Sequence, residues 1–350
     1  MRIWFNKTFS TISSVFNALH QAAPLGEVTL ICTHVHDGAS AFLVADETYL
    51  EPADCHGETY LQWCLDFCLA QHIDWFWPAK EAALINQYQQ RFTDIGVQVL
   101  SVADYKTLHL LHNKAEFYTA LPPSVAKTMD FIAVHDLAGF DAAVAELAKK
   151  HSRLCVKPAV SVFGLGFRIL DTQRDSIRHL LDGVEYQIPL AELRQGMINT
   201  PQFATLLVME HLAGHEWSVD CAGHQGKLLS AVQRKKSLFA GYGQIIDNQP
   251  DIHDMVTRLT AHYALNGLFN IQFKEGEQGP RLLEINPRPS GGFGMACLSG
   301  VNLAQLIWQA IIKSEPVTEP VIHYGRKVTE VHMAKLLSEE PVAHTMPQLF

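Results

Sequence analysis

The chain has 350 residues, 48% of them hydrophobic and 18% charged. That composition belongs to a globular protein with room for two or three compact units, and it excludes wholesale disorder. A net charge of −9 argues against non-specific nucleic-acid binding, which draws its affinity from clustered Lys and Arg, so no nucleic-acid partner is expected.

The first hundred residues alternate in a βα rhythm: "MRIWF" (strand), "FSTISSVFNALHQ" (helix), "EVTLICTHV" (strand), "AFLVADE" (strand), "ETYLQWCLDFCLAQH" (helix), "IDWFWP" (strand), "AKEAALINQYQQRF" (helix) and "VQVLSV" (strand). Short apolar runs between amphipathic helices predict a parallel sheet covered on both faces, over residues 1–105. "KTLHLLHNKAEFYTALPP" then predicts one helix stopped by Pro122 and Pro123. A smaller α+β unit follows to residue 200, with a helix over "DLAGFDAAVAELAKKH", the strand "RLCVKPAV" and the glycine-containing turn "SVFGLGFR".

A third unit, residues 201–314, opens with the strand "FATLLVMEHL" and a strand pair turned at His224–Gly226. A helix over "IHDMVTRLTAHYAL" comes next, and then a hairpin of "GLFNIQFK" and "RLLEINPR". Residues 315–350 predict a C-terminal extension with a short strand or helix. No apolar run reaches the ~20 residues that span a bilayer, and the first twenty residues lack the pattern of a signal peptide. A cytoplasmic protein with no membrane partner is expected. The seven cysteines include no CxxC pair, which predicts free thiols.

The hairpin carries the chemistry. Strand side chains alternate faces, so Leu282, Glu284, Asn286 and Arg288 are expected on one face, and Asn270, Gln272 and Lys274 on one face of the partner strand. A turn at "EGEQG" with Lys274 opposite Leu282 sets Gln272 opposite Glu284. One carboxylate and two amides, Glu284, Gln272 and Asn286, then suit a hard cation such as Mg²⁺, with phosphates and water completing its shell. Arg288 offers a planar fork to an anion held by the metal, and Gly291 and Gly292 can turn backbone N–H groups toward a second one. An ordinary solvated strand face is the plain alternative. Lys157 ends a strand before a glycine-containing turn, and Lys114 sits one turn into a helix; both can reach phosphate. The backbone at His211 and Leu212 can pair an adenine edge, and Glu216 can accept from ribose hydroxyls.

"NKAEFY", "VKPAVSVFGLG", "MEHLAGHEWSVD" and "FNIQF…LLEINPRPSGG", in this order over residues 110–300, resemble the ATP-grasp superfamily, nearest its carbamoyl-phosphate-synthase-like and carboxylate–amine ligase branches. The resemblance implies an α/β (α+β) chain: an N-terminal parallel-sheet pre-ATP-grasp domain, then an ATP-grasp fold of a small lid subdomain (106–200) and a large subdomain (201–314). It implies ATP and Mg²⁺, with Mn²⁺ as an alternative. Lys114 and Lys157 would contact the phosphates, Glu210 with the backbone at Leu212 would hold adenine, Glu216 the ribose, and Gln272, Glu284 and Asn286 the metal. Arg288 would stabilise the transferring phosphoryl group. One departure is the loop from Ser161 to Gly166, where Val162, Phe163 and Leu165 replace the glycines of many relatives.

The expected reaction is ligation of a carboxylate to an amine, or to a similar nucleophile such as a thiol, through an acyl phosphate. A small-molecule kinase and a nucleotide-binding regulator with little turnover are the alternatives. The partners expected are small-molecule carboxylate and amine substrates, and a homodimer is a candidate assembly. Arg234 in the basic run "QRKK", with Ser290, Gly291 and Gly292, is a candidate substrate contact. His34 and His36 form an HxH without further zinc ligands nearby in sequence, and Cys64 and Cys68, one helical turn apart, read as core.

Overall fold

A computed structural model describes residues 1–8, 11–161, 164–183, 186–239, 241–331 and 336. The first unit is a five-stranded, all-parallel sheet of β1 (Arg2–Phe5), β2 (Thr29–His34), β3 (Glu47–Leu50), β4 (Trp75–Trp77) and β5 (Gln98–Val99), in the order β3-β2-β1-β4-β5. Helices α1 (Ile12–Ala22), α2 (Gly57–Ala70), α3 (Ala82–Gln87) and α4 (Gln89–Thr93) accompany it. Residues on β1 alternate between two cores: Ile3 and Phe5 face α1, while Trp4 packs with Tyr60, Leu61, Cys64 and Cys68 of α2. Parallel strands covered on both faces need apolar residues at every position, and "RIWF" supplies them.

Two expectations change here. "AFLVADE" forms a 3₁₀ turn over Ser40–Leu43, and the strand comes later, at Glu47–Leu50. An apolar run without alternation does not distinguish strand from turn; Asp46 decides it by accepting from the Leu30 N–H at 2.6 Å and so opening the strand. The helix expected over "AKEAALINQYQQRF" is two short ones, α3 and α4, broken at Tyr88.

The single helix expected over "KTLHLLHNKAEFYTAL" is likewise two, α5 (Tyr105–His112) and α6 (Lys114–Ala120). Asn113 leaves helical geometry at φ −107°, ψ 103°, and its side chain accepts from the N–H groups of Ala115 and Glu116 at 3.1 and 3.4 Å. An asparagine cap of this kind satisfies orphan donors of the new helix. It also makes Lys114 the first residue of α6.

The second sheet contains β6 (Phe131–Val134), β7 (Leu154–Pro158), β8 (Arg168–Asp171), β9 (Gln187–Pro189) and β10 (Leu206–Glu210), ordered β6-β10-β7-β8-β9. Helices α7 (Leu137–Leu147), α8 (Ser176–Asp182) and α9 (Leu190–Ile198) belong to the same stretch of chain. The strand expected to open the third unit is therefore β10, and it is hydrogen-bonded between β6 and β7 in the second sheet.

The third sheet is antiparallel: β15 (Gly279–Asn286), β14 (Gly267–Gly276), β11 (Glu216–His224), β12 (Lys227–Lys236), β13 (Gln244–Asp247) and β16 (Lys327–Val328), in that spatial order. The β11–β12 turn falls at Gln225 and Gly226, both at positive φ (49° and 79°), the two-residue turn that matches strand twist. One face of the sheet packs Trp217, Val219, Cys221, Phe269, Ile271 and Phe273 against α10 (Pro250–His262) and α6. The other face packs Ala222, Val232, Ile246 and Leu268 with α1, α11 (Phe293–Cys297) and α12 (Leu303–Ile307), which ties the N-terminal unit to the third sheet. The C-terminal extension contributes β16, an edge strand on β13; residues 332–335 and 337–350 lie outside the described residues. Among the described residues no helix is long and apolar enough to cross a membrane.

Asn113→Ala removes the cap between α5 and α6. The substitution is expected to lower stability by about 1 kcal/mol, read as an earlier urea midpoint at unchanged slope; an unchanged midpoint would mean that the cap contributes nothing.

Candidate active site

Four strands bring one row of polar side chains to a common face. Arg234 of β12 pairs with Ser218 of β11, Ser218 with Gln272 of β14, and Gln272 with Glu284 of β15. The next row places Asp220 beside Asn270 and Asn270 beside Asn286. Cross-strand partners share a face, so these two rows form the polar half of the face whose other half is apolar core.

The register at Gln272 and Glu284 is the expected one, but Lys274 pairs with Arg281 rather than Leu282. A β-bulge sets Phe273 opposite Leu282 and leaves Leu283 as the extra residue. In consequence Leu282 turns into the core with Ile285, fully buried, instead of sharing the face of Glu284. The backbone carbonyl freed at Leu283 accepts a hydrogen bond from the Tyr118 hydroxyl.

Three cations surround Glu284. Lys114, buried at the start of α6, places Nζ 3.5 Å from Glu284 Oε2 and donates to the Ser161 carbonyl at 2.8 Å. Lys157, at the end of β7, donates to the Tyr118 hydroxyl at 2.9 Å and lies 5.1 Å from that ring's centre. Burial lowers the pKa of both lysines, and in each the Glu284 carboxylate opposes the shift. Arg288 is half-buried, lowered in the same way by desolvation with Glu284 opposing, and donates to the Pro289 carbonyl at 3.1 Å. Glu284 Oε1 accepts from Asn286 Nδ2 at 3.0 Å. The structure thus brings Lys114, Lys157, Gln272, Glu284, Asn286 and Arg288 into one cluster.

A second cluster adjoins it. Leu212 packs on Gly276 of β14, and Gly214 lies against Glu275, so the segment after β10 rests on the end of β14. His211 is held neutral, its pKa lowered to about 4 by burial and by the charges of Arg153 and Lys274. Glu216 pairs with Lys236 and lies beside Lys274, whose own pKa burial lowers. Two details differ from the expectation. The Glu210 carboxylate is turned to His151, 3.2 Å away, and the His211 N–H already donates to the Arg153 carbonyl at 2.9 Å. This leaves the backbone of Leu212, rather than that of His211, as the donor available there.

Arg234 is not an open substrate contact in this arrangement. Its guanidinium is 1% exposed and bound by Asp220, Ser218, Ser290 and Gln244. Ser290 is buried with it, Gly291 is exposed and Gly292 half-buried. Val162 and Phe163 of the expected phosphate loop lie outside the described residues; Gly164 and Gly166 adopt positive φ.

Three residues near the site are given no role in it by the sequence. Lys274 and Asn270 are placed on the strand face of Gln272 by alternation alone, and Tyr118 is not singled out. Tyr118 lies one helical turn after Lys114, and only the tertiary fold shows its hydroxyl between Lys157 and the bulge. Asn270, two positions from Gln272, is completely buried, donates to Ser218 and Asp220, and keeps its Oδ1 unpaired.

The donor set fits magnesium only in company. Among the described residues no three His, Cys, Asp or Glu side chains converge to hold a metal ion. Glu284 supplies one carboxylate, with Gln272 and Asn286 as amide oxygens, while Lys114, Lys157 and Arg288 leave the cluster with excess positive charge. Hard oxygen donors suit Mg²⁺, yet the remaining ligands and negative charge would have to come from a bound anion.

Residues 202–334 match a family model described as ATP-grasp in the biosynthetic pathway with Ter operon. No curated protein matches the chain by sequence. Among solved structures, N5-carboxyaminoimidazole synthetase from Staphylococcus aureus is similar at a TM-score of 0.65 and 12% identity, over 92% of this chain and 80% of that one. L-amino acid ligase from Bacillus licheniformis is similar at 0.60 and 17%, over 92% and 75%. Biotin carboxylase from Campylobacter jejuni, solved as a β,γ-ATP complex, is similar at 0.65 and 9%, over 92% and 73%. At these identities the structural likeness speaks for the fold, and the matched segment runs from just before β10 to beyond β16, through every residue of the polar rows. Residues 202–334 thus carry the ATP-grasp family match, and the chain as a whole shares the fold of these solved structures.

Proposed function

We propose that the protein is an ATP-dependent ligase that activates a carboxylate as an acyl phosphate and passes it to an amine, releasing ADP and phosphate. The observation that carries this reading is the cluster of Lys114, Lys157 and Arg288 around a single carboxylate, Glu284, flanked by two amides. Such a site neutralises a triphosphate and offers oxygen ligands to its metal, and it contains no nucleophile–base pair of the kind covalent catalysis needs.

Phosphoryl transfer asks a protein for position and charge more than for bond-making groups. Lys114 and Lys157, on α6 and β7, approach the cluster from one side, and Glu284, Gln272 and Asn286 from the hairpin. Glu284, Gln272 and Asn286 would hold Mg²⁺, which when bound would supply charge neutralisation for the phosphates. A substrate carboxylate oxygen attacks the γ-phosphorus, the bond to ADP breaks, and Arg288 faces the phosphoryl group in flight. The amine nitrogen then attacks the acyl carbon, and phosphate leaves with the C–O electron pair. Water must be kept out until that second step, a role for residues 106–200 folding over the nucleotide. The similarity in fold to an L-amino acid ligase, a ligase by its name, supports the reaction class.

A phosphate-release screen over pooled carboxylic acids and amines, with mass spectrometry of the products, tests the reading. Phosphate is expected only when both substrates are present, with an amide as product. A stable phosphorylated product would identify a kinase, and binding without turnover a nucleotide sensor. Glu284→Gln is expected to abolish turnover while the circular-dichroism spectrum of the folded protein is retained; retained turnover removes Glu284 from the site.

Metal binding should follow the nucleotide. Mn²⁺, followed by its paramagnetic resonance signal, is expected to bind tightly only when ATP is present, because the residues alone carry too little negative charge. Tight binding to the nucleotide-free protein would contradict this.

Lys157→Met should weaken ATP binding by about tenfold to a hundredfold, the ~1.5–3 kcal/mol of a charge-assisted hydrogen bond. Because burial lowers both lysine pKa values, part of their charge is lost at a pH where an ordinary lysine is fully protonated. Bound triphosphate favours the charged forms. ATP binding is therefore expected to take up protons at a pH just below the ordinary lysine range and to weaken as pH rises through the lowered values. Binding enthalpies that do not depend on buffer ionisation at that pH would refute it.

A further inference from the structure

We infer that Arg234 is a positioning residue: through Ser290 and Gly292 it fixes the turn that carries Arg288, and it does not meet the acceptor itself. The catalytic consequence rests on the ligase reading above; the structural consequence does not.

Every arm of the guanidinium is committed. Nε donates to Asp220 Oδ2 at 2.8 Å, one terminal nitrogen donates to Gln244, and the other donates to Ser218 Oγ at 3.0 Å and Ser290 Oγ at 2.9 Å. Asp220 and Arg234 are each 1% exposed, so the pair is enclosed and its charges cancel. An anion-binding arginine needs an open face and a surplus of charge, and this one has neither.

The connection runs outward from there. Ser290 Oγ also accepts from the Gly292 N–H at 3.1 Å, which closes a tight turn over residues 290–292. A Cβ at position 292 would overlap the guanidinium itself, so glycine is required for the turn to lie this close. At the other end of the segment, Glu284 is fixed by its ladder pairing with Gln272, and the Arg288 N–H donates to the Asn286 carbonyl at 2.7 Å. Arg288 is thus held between two anchors, the β14–β15 ladder and the Arg234–Ser290 link. A lysine would not replace Arg234, because only a planar fork with several donors reaches Asp220, Ser218 and Ser290 together.

The other members of the basic run have work elsewhere. Lys235 lies over the Trp217 ring at 5.1 Å, and Lys236 pairs with Glu216. The "QRKK" stretch is therefore not an anion-binding patch but three cations with separate partners.

The test compares Arg234→Lys, Arg234→Gln and Ser290→Ala with the full-length parent by hydrogen exchange without ligand. Exchange over residues 287–297 is expected to accelerate by about tenfold or more in all three. Ser290→Ala leaves the Asp220–Arg234 pair intact, so in that variant peptides from β11 and β14 should be unchanged, and it answers even where an Arg234 variant does not fold. Unchanged protection over 287–297, or a rise across the whole third sheet in Ser290→Ala, overturns the inference. In the phosphate-release assay the same variants should lose kcat and keep KM for ATP and acceptor within about twofold, a transition-state effect. The Arg234→Gln and Ser290→Ala losses should not add. Additive losses, or a raised acceptor KM at intact kcat, would return Arg234 to the role of a direct contact. If no acceptor pair is turned over, the ligase reading fails while the exchange measurement still decides the positioning role.

Discussion

The structure depends on a strict two-residue alternation maintained across four antiparallel strands at once. On β11, β12, β14 and β15 one set of residues fills a core shared with α6 and α10, and the other set carries Arg234, Ser218, Gln272, Glu284, Asp220, Asn270 and Asn286. A slip of one residue in any strand would exchange the two sets, burying charges in the core and exposing phenylalanines. Register is therefore fixed by the apolar face, and the polar rows inherit their alignment from it. Such rows survive burial only when satisfied. The Asp220–Arg234 pair, with Ser218 and Ser290, meets that condition; removing one partner of an enclosed pair costs about 3–5 kcal/mol, because the other charge is stranded.

Departures from that regularity serve the site. The bulge at Leu283 releases one carbonyl from the ladder, and the Tyr118 hydroxyl takes it up while also accepting from Lys157. One phenol thus links a lysine of the second sheet to the strand that carries Glu284. Asn113 does comparable work earlier in the chain. By breaking a continuous helix it starts α6 at Lys114 and brings that buried ammonium to the same carboxylate. The cation cluster is assembled by one cap and one bulge acting on otherwise ordinary elements.

Much of this was legible in the residues. The hairpin, its Gln272–Glu284 register and the βα rhythm of the first unit follow from alternation and periodicity, which are properties of short stretches. The misreadings share a cause. The sheet to which β10 belongs, the inward turn of Leu282 and the enclosure of Arg234 are set by segments distant in sequence: β6 and β7, the bulge partner Phe273, and Asp220 with Ser290. Strands β6, β8 and β9 were not foreseen because they are short and only partly buried, so their apolar pattern is weak. A basic tripeptide looks the same whether its charges are spent or free, and only the neighbours across the sheet distinguish the two.

The electrostatics of the whole molecule sharpen the argument for a locally built anion site. A protein of net charge −9 repels a triphosphate at long range, but between exposed charges that repulsion is screened over roughly 8 Å at physiological ionic strength. Lys114, Lys157 and Arg288 act at contact distance from partly desolvated positions, where their attraction is strengthened and salt penetrates little. Desolvation has a cost, visible as the lowered pKa of all three, and Glu284 offsets it in each case. The single carboxylate therefore offsets the desolvation of three cations in the absence of a ligand, and under the proposed reading it would also supply the protein's negative oxygen to a metal. A second carboxylate at Gln272 would strengthen metal binding and weaken the attraction for phosphate. Under the proposed reading, the amide at that position would favour the metal–phosphate complex over the bare ion.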